Sequence, residues 1–366
     1  MKILYITTVC GTMLFFKKFI NELIQEGHTV DIATHESEKS KVAECYREWG
    51  CKVYQISTSR SPLNRGNIAA VNQIKKIVSE NDYEMVHCHT PIAAACTRLA
   101  CRSLRKKGVK VFYTAHGFHF YQGAPLKNWL IYYTVEKICA RWTDVLITIN
   151  TEDYELAKKK LKAGRVEYVP GVGIDVSRFA DASVDIAAKR EEIGVPQDAF
   201  MLLSVGELNE NKNHETVIKA LAELGDSNIH YVIAGKGGKK EYLEELAKEK
   251  GVNLHMLGYR KDITELNKTA DVFILPSYRE GLCVSVMEAM AAGLPVICGK
   301  IRGNVDLIEE NGGILFNPID VAECAKAIRE IKNCDLQMLG NYNRNKVNIF
   351  AEANIHSLMW NLYMNI

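Results

Sequence analysis

No apolar run in this sequence approaches the roughly 18 residues of a membrane-spanning helix. The opening stretch Met1–Thr8 is too short for a secretory signal core and reads as a first strand. A cytoplasmic chain is therefore expected. None of the eleven cysteines forms a C-x-x-C pair. They are scattered, several within apolar runs, which fits reduced, buried thiols better than a disulfide framework. Low-complexity tracts are absent, as is the G-x-G-x-x-G string of dinucleotide sites. Neither sign of charge dominates, the net charge being +2. The distribution is less even: residues 1–175 carry 25 Lys and Arg against 17 Asp and Glu. That excess hints at an anionic partner for the first half, although solvated charge spread by chance gives the same figure.

What is present is enough for a large globular chain. With 366 residues, 47% hydrophobic and 25% charged, it has material for about two to three domains, each with a core. Strand-like and helix-like segments alternate. Strands are expected at Lys2–Val9, Thr29–Thr34, Lys52–Ile56, Met85–His89, Val109–Ala115 and Val145–Asn150. Helices are expected at Phe15–Glu26, Glu38–Trp49, Ile68–Ser79, Ile92–Lys106, Leu126–Ala140 and Glu152–Leu161. Such alternation predicts a parallel sheet covered by helices on both faces. The rhythm breaks at Pro170-Gly171-Val172-Gly173, which reads as a hinge. A second series follows, with strands at Phe200–Val205, His230–Ala234, Asn253–Met256, Val272–Pro276, Pro295–Cys298 and Gly313–Phe316. Its helices are expected at His214–Glu223, Lys240–Glu249, Cys283–Ala292 and Val321–Ile331. The last segment, Ile349–Ile366, reads as an amphipathic helix. The expected fold class is α/β, with two doubly wound Rossmann-like domains and a cleft between them. The boundaries read from the sequence are 1–173 and 174–345, with a C-terminal helix, 346–366, packing back on the first domain. Ligands in such sheets sit at the carboxyl ends of the strands.

The strongest chemical signal is Pro276-Ser277-Tyr278-Arg279-Glu280-Gly281-Leu282-Cys283, leading into a helix that carries Glu288. The amides of Gly281, Leu282 and Cys283 would point outward from a helix N-terminus and cradle an anionic or polar ligand. Glu280 and Glu288 could then accept bonds from two hydroxyl-rich parts of one molecule. A lone glutamate in either place would be an ordinary surface charge.

This string, with Ala289-Met290-Ala291-x-Gly293-x-Pro295-Val296 behind it, resembles the E-x7-E motif of the group 1 (family 4) retaining glycosyltransferases. The resemblance spans nearly the whole chain. It includes the glycine loop Thr8–Met13, the pair His116-Gly117, Ser204-Val205-Gly206 with Lys212, and Gly235-x-Gly237. Thr114–Phe120 looks like the branch that builds bacterial capsular and exopolysaccharides. The resemblance implies the GT-B fold, with the acceptor mostly on the first domain and the nucleotide sugar on the second. It implies that Glu280 contacts donor-sugar hydroxyls, Glu288 the ribose, and Lys212 the donor diphosphate, with backbone contacts from Gly281, Leu282 and Cys283. It places His116 near the reacting carbon. Many members have arginine where this chain has Glu207, so either Glu207 turns away or Arg279 or Arg260 supplies the missing charge. Gly11 permits close approach of a ligand. Gly235 and Gly237 would lie near the nucleotide, and Tyr259 with Arg260 would flank the base. His119 could reach acceptor phosphate or pack beside Phe118 and Phe120. His87-Cys88-His89 reads as structural, because alternation puts Cys88 on the opposite face from both histidines.

The function implied is a metal-independent, cofactor-free retaining transfer of a hexose or N-acetylhexosamine from a nucleotide sugar, most readily a UDP sugar. The acceptor would be a polyprenyl-diphosphate-linked glycan. A soluble acceptor, a sugar-nucleotide epimerase and a non-catalytic sugar-nucleotide-binding protein are the alternatives. No nucleic-acid partner is expected. Arg98, Arg102 and Arg105, spaced to share a helix face, predict a peripheral contact with anionic lipid at the inner face of the membrane.

Overall fold

The structure is a computed structural model that describes every residue except Lys39, Leu63 and Ile366. The chain divides into two units. Unit 1 is Met1–Val172 with His356–Ile366, and unit 2 is Gly173–Ile355. Residues 346–355 thus lie in unit 2, and the segment returning to unit 1 starts at His356. The break falls in the Pro170–Gly173 turn. There Gly173 has φ +84°, and a Cβ on it would stand 2.9 Å from the Glu352 Cα.

Unit 1 is built on seven parallel strands: β1 (Lys2–Ile6), β2 (Thr29–Thr34), β3 (Val53–Gln55), β4 (Met85–His89), β5 (Lys110–Ala115), β6 (Val145–Thr148) and β7 (Arg165–Tyr168). Their order is β3-β2-β1-β4-β5-β6-β7. The direction of winding therefore reverses between β1 and β4, and the crevice of such a sheet opens at that point. Both faces are covered, so the strands are apolar on both sides. Leu4, Ile6, Val86, Cys88, Val111 and Tyr113 face one helical layer. Tyr5, His87, His89 and Phe112 project to the other face, where Tyr363 of the C-terminal helix meets Tyr5 with 2.7 Å between hydroxyls.

Unit 2 has six parallel strands: β8 (Phe200–Val205), β9 (Ile229–Ala234), β10 (Asn253–Gly258), β11 (Val272–Leu275), β12 (Val296–Gly299) and β13 (Gly313–Phe316). The order is β10-β9-β8-β11-β12-β13, with its reversal between β8 and β11.

Several local expectations change. Of Glu38–Trp49 only Cys45–Glu48 is helical, and Lys39 lies outside the described residues. Ser37 and Ser40 instead exchange backbone bonds, and the Glu36 carboxylate takes the Val42 amide at 2.7 Å and Arg47 at 2.9 Å. These local bonds compete with the helix. The segment Ile92–Lys106 is a helix over Pro91–Cys101 and a separate 3-10 turn over Leu104–Lys107. Leu126–Ala140 contains a π-helical turn at Trp129–Tyr133. The C-terminal helix spans Glu352–Met364, and Ile366, the last residue expected in it, lies outside the described residues. Among the described residues, no helix is long and apolar enough to cross a membrane.

Candidate active site

In unit 2 the two loops at the winding reversal bring Lys212 and Glu280 together. Lys212 follows β8 and Glu280 follows β11. Their Nζ and Oε1 stand 2.8 Å apart, both side chains mostly buried. The loops are stitched by backbone and amide bonds: Tyr278 donates its N–H to the Asn211 carbonyl at 2.8 Å, and Asn211 Nδ2 donates to the Arg279 carbonyl at 2.9 Å. Asn213 holds the turn in a left-handed conformation, φ +53°, and donates to the Pro276 and Pro318 carbonyls. The lysine stem lies across Gly206, where a Cβ would stand 3.2 Å from the Lys212 Cε. Burial works against the lysine charge, but Cys283, Glu280 and Glu207 outweigh it and hold its pKa above the ordinary value. Lys212 is therefore a fixed cation with, among the described residues, a single carboxylate partner.

The helix Val284–Ala292 starts beside this pair, with Cys283 as its N-cap. Cys283 makes no side-chain capping bond to the helix. The Leu282 and Cys283 side chains are buried and Gly281 is half-buried. One and a half turns along lies Glu288. Among the described residues its carboxyl has no hydrogen-bond or ion-pair partner, and burial pushes its pKa up to about 7 against a weaker opposing effect of Arg178. An acid with so little of its own solvation replaced is suited to a ligand that brings hydroxyl donors.

The remaining donor candidates of unit 2 separate. Arg260 is bound to Asp262 and to Glu192, the latter at 2.5 Å. Its charge is thus compensated by two carboxylates in the ligand-free chain. Arg279 and Glu207 are both exposed. A second cation held on the Glu280 loop is one the sequence reading missed: Arg302, buried, with Nε donating to the Glu280 carbonyl at 3.2 Å. Its neighbour Gly303 packs so tightly on this loop that a Cβ would be 2.2 Å from the Gly281 carbonyl oxygen. That contact comes from β12, some twenty residues on, so no local motif signals it. Gly235 and Gly237 serve the fold directly. Cβ atoms there would lie 1.7 Å from Gly206 O and 2.3 Å from Leu208 O, so these glycines let the β9 turn lie against the Lys212 loop. Tyr259 is exposed, with the Lys236 Nζ 5.8 Å from its ring centre.

In unit 1, His116 stands just beyond β5, and its Nε2 is 3.1 Å from His89 Nδ1 at the end of β4. Burial lowers the His116 pKa to about 4 and that of His87 to about 3, and pushes His89 well down as well. All three rings are therefore neutral near pH 7. His87 is satisfied by Thr114 at 2.8 Å and by the Tyr363 hydroxyl. His89 stacks on Phe16, ring centres 4.1 Å apart, and its Nε2 is buried without a partner. Cys88 points the other way, into the core. Asp153 fixes the His116-Gly117 turn by accepting the Phe118 N–H at 3.0 Å. Gly11 has open space where a Cβ would be, so packing does not require glycine there. Beside it the sequence reading missed Thr90. This β-branched residue is held at φ +66° and lies 2.6 Å, oxygen to oxygen, from Thr8. A positive φ on a β-branched residue is strained backbone.

The His119 ring stacks on Tyr132 at 4.6 Å, whereas Phe118 and Phe120 stack on each other. The arginine face is also corrected. Arg98 is fully buried, bidentate to Glu136 at 2.7 and 3.0 Å and stacked over Tyr113. Arg105 is clamped by Asp144 at 2.6 Å, and only Arg102 is exposed, over Trp142. The acids that pair them come from a later helix and a later loop, which the acid-free run around Arg98 concealed. Among the described residues, no cluster of three or more His, Cys, Asp or Glu could hold a metal ion.

Two α/β units, each a parallel sheet with one winding reversal, are the architecture of the GT-B fold. Residues 185–346 match the family described as glycosyl transferases group 1, and residues 2–150 match the glycosyl transferase 4-like family. EpsD of Bacillus subtilis, a protein named as a glycosyltransferase, is 39% identical over 319 residues, covering 85% of this chain and 84% of its own. A UDP-Gal:alpha-D-GlcNAc-diphosphoundecaprenol alpha-1,3-galactosyltransferase of Escherichia coli is 30% identical over 306 residues, covering 76% of this chain and 78% of its own. The fold of Anabaena HepE, solved in complex with UDP, superposes over the full length of both chains with a TM-score of 0.82 at 19% identity. The chain belongs to the group 1 glycosyltransferases.

Proposed function

We propose that this glycosyltransferase moves a hexose or N-acetylhexosamine from a UDP-linked donor to a polyprenyl-diphosphate-linked glycan, with retention at the anomeric carbon, in cell-surface polysaccharide assembly. The observation that carries the reading is the mostly buried Lys212–Glu280 pair at the head of a helix whose next inward acid, Glu288, has no partner among the described residues. Lys212 is the charge for the donor diphosphate, Glu280 a hydroxyl acceptor for the sugar, and Glu288 one for the ribose. When the anomeric C–O bond breaks, its electron pair leaves with the diphosphate. Lys212 and the amides at Cys283 stabilise that growing charge. The acceptor hydroxyl then bonds to the anomeric carbon on the face the phosphate left, and its proton passes to a phosphate oxygen. Neutral His116 can hold a sugar hydroxyl but carries no charge into this step. No metal and no enzyme nucleophile are needed, and the work is done at the inner face of the membrane.

The similarity to a transferase whose name specifies a diphosphoundecaprenol acceptor supports the lipid-linked substrate. The test is incubation of labelled UDP-hexoses and UDP-N-acetylhexosamines with a polyprenyl-diphosphate-linked sugar, with and without EDTA, and NMR of the product. An α-linked lipid product formed equally well in EDTA is expected. A β-linked product, activity lost in EDTA, or transfer confined to water-soluble sugars would each refute the part it touches.

A further inference from the structure

The feature of unit 1 that the active site leaves unused is the outer side of the segment from Leu126 to Cys139. Its inner side is engaged. Trp129, Tyr132 and Tyr133 pack against the core, and Glu136 and Cys139 are buried. Its outer side carries Leu126, Leu130, Ile131, Val135 and Ile138, which are 73, 66, 54, 40 and 45% exposed. A helix that is apolar all round is normally covered on every side. Among the described residues, nothing covers the outer one. Val135 and Ile138 run on into an apolar groove of about 510 Å³, which Ile68, Val71 and Leu99 also line.

Charge selects the occupant. Between Met85 and Thr143 the sequence has nine Lys and Arg and a single acid, Glu136. That acid points inward and is neutralised by Arg98 at 2.7 Å. Lys127, Lys137 and Arg141 are exposed along the same segment, and Arg102 is exposed beside Trp142 of the groove. The face is therefore an apolar stripe with a cationic fringe and no exposed acid within the stretch. An acidic headgroup layer over hydrocarbon complements both properties at once. A protein partner matched only to the apolar stripe would leave the fringe unexplained.

We propose that this face docks on an anionic bilayer, with Leu126, Leu130 and Ile131 entering the boundary of headgroups and acyl chains, and Lys127, Lys137 and Arg141 meeting the headgroups. The surface replaces the Arg98 face expected from the sequence. Its purpose rests on the lipid-acceptor reading, since the segment reaches the active-site loop through the His119–Tyr132 stack.

The test is flotation of the full chain with vesicles of phosphatidylcholine, alone or mixed with phosphatidylglycerol. Wild type should float with the mixed vesicles at low salt, less so as salt rises, and not with phosphatidylcholine alone. Leu130→Glu/Ile131→Glu should lower binding by about tenfold or more, with UDP affinity and melting unchanged. Lys127→Glu/Lys137→Glu should lower it by about tenfold or more as well. If the glutamate pair disturbs folding, Leu130→Ser/Ile131→Ser carries the same expectation. Wild type that ignores mixed vesicles at low salt, or apolar variants that float as it does, would overturn the proposal. So would a wild-type dimer that these variants render monomeric, since a second copy would then own the face. Transfer to a water-soluble, short-chain diphosphate acceptor separates the two readings. Transfer without vesicle binding sinks the surface alone, whereas vesicle binding without transfer to any lipid acceptor sinks the acceptor reading alone.

Discussion

Replacing Glu288 with glutamine should stabilise the ligand-free protein above pH 7 while weakening its grip on donor. Burial raises this carboxyl from its ordinary 4.5 to about 7, and Arg178 only partly opposes that. Below about pH 4.5 the carboxyl is protonated in both folded and unfolded chains, and the group has no effect. As pH rises from there, the unfolded chain ionises first and the folded chain retains its proton, so stability is progressively lost up to the folded pKa. Above it, holding the buried carboxylate costs about 3 kcal/mol. Glutamine keeps the size and removes the charge. Glu288→Gln should therefore match wild type near the low end and exceed it by up to about 3 kcal/mol at the high end, about 6–12 °C for a unit of this size. The histidines work in the opposite sense. The pKa values of His87 and His214, lowered by burial to about 3, and of His116, lowered to about 4, make stability fall as pH drops below about 6.5. Both proteins share that contribution, so the difference between them isolates Glu288. The assay is denaturant unfolding of both across about pH 5–8, followed by calorimetry with UDP-sugar. Donor affinity should rise with pH through about 7 in wild type, because hydroxyl donors need the ionised form. It should be lower in Glu288→Gln, by about 1.5–3 kcal/mol, and lose its pH dependence. A variant less stable than wild type at high pH, or one binding donor equally well, would refute the reasoning.

Lys212→Ala should reduce turnover by about 100-fold or more and donor affinity by much less, measured as kcat against calorimetric Kd; equal losses would place its effect in the ground state. Arg98→Met should destabilise unit 1 by about 3–5 kcal/mol, because Glu136 is left buried and charged, and adding Glu136→Leu should recover most of that in urea unfolding. His116→Ala should slow transfer with UDP affinity and melting intact; unfolding instead would make it a core residue. Gly235→Ala should lower stability by about 1–3 kcal/mol through its clash with Gly206, whereas Gly11→Ala, with open space at its Cβ, should leave melting unchanged and act only on ligand binding.

Most of the architecture was legible because doubly wound sheets announce themselves twice, as alternating elements and as continuous apolar strands. Thirteen strands form the sheets, and the one not anticipated, Arg165–Tyr168, is a charged edge strand that lacks the apolar signature of the interior ones. The candidate-site positions that could be read were those fixed by local sequence: Glu280 and Glu288 by a strand–loop–helix string, His116 by its place after a strand, and Lys212 by its spacing from Gly206. What could not be read depended on pairing across the sheet. The alternation in His87-Cys88-His89 showed which way each ring points, but not that His89 meets His116 one strand over. The run from Arg98 to Lys110 looked like an open basic face because its acids, Glu136 and Asp144, lie more than thirty residues away. Arg302 was invisible for the same reason.

The two units also divide the chemistry by charge, and this follows from how each crevice is lined. At the reversal of unit 1 the groups at the strand ends are Thr8, Thr90, His89 and His116, all neutral near pH 7 because burial keeps the imidazoles unprotonated. They can orient hydroxyls but cannot balance a charge that grows during reaction. Around the reversal of unit 2 the lining includes four ionisable side chains: Lys212, Glu280, Glu288 and Arg302. Lys212 and Glu280 already neutralise each other at 2.8 Å, so a ligand-free crevice does not hold a bare buried cation. On the proposed donor reading, a diphosphate entering beside Lys212 would compete for it with Glu280, which would thereby be released to accept from sugar hydroxyls. One ion pair would then keep the ligand-free crevice tolerable and yield both of its halves to a donor that carries phosphate and sugar together. A nucleotide lacking the sugar would satisfy only Lys212 and leave Glu280 without its partner.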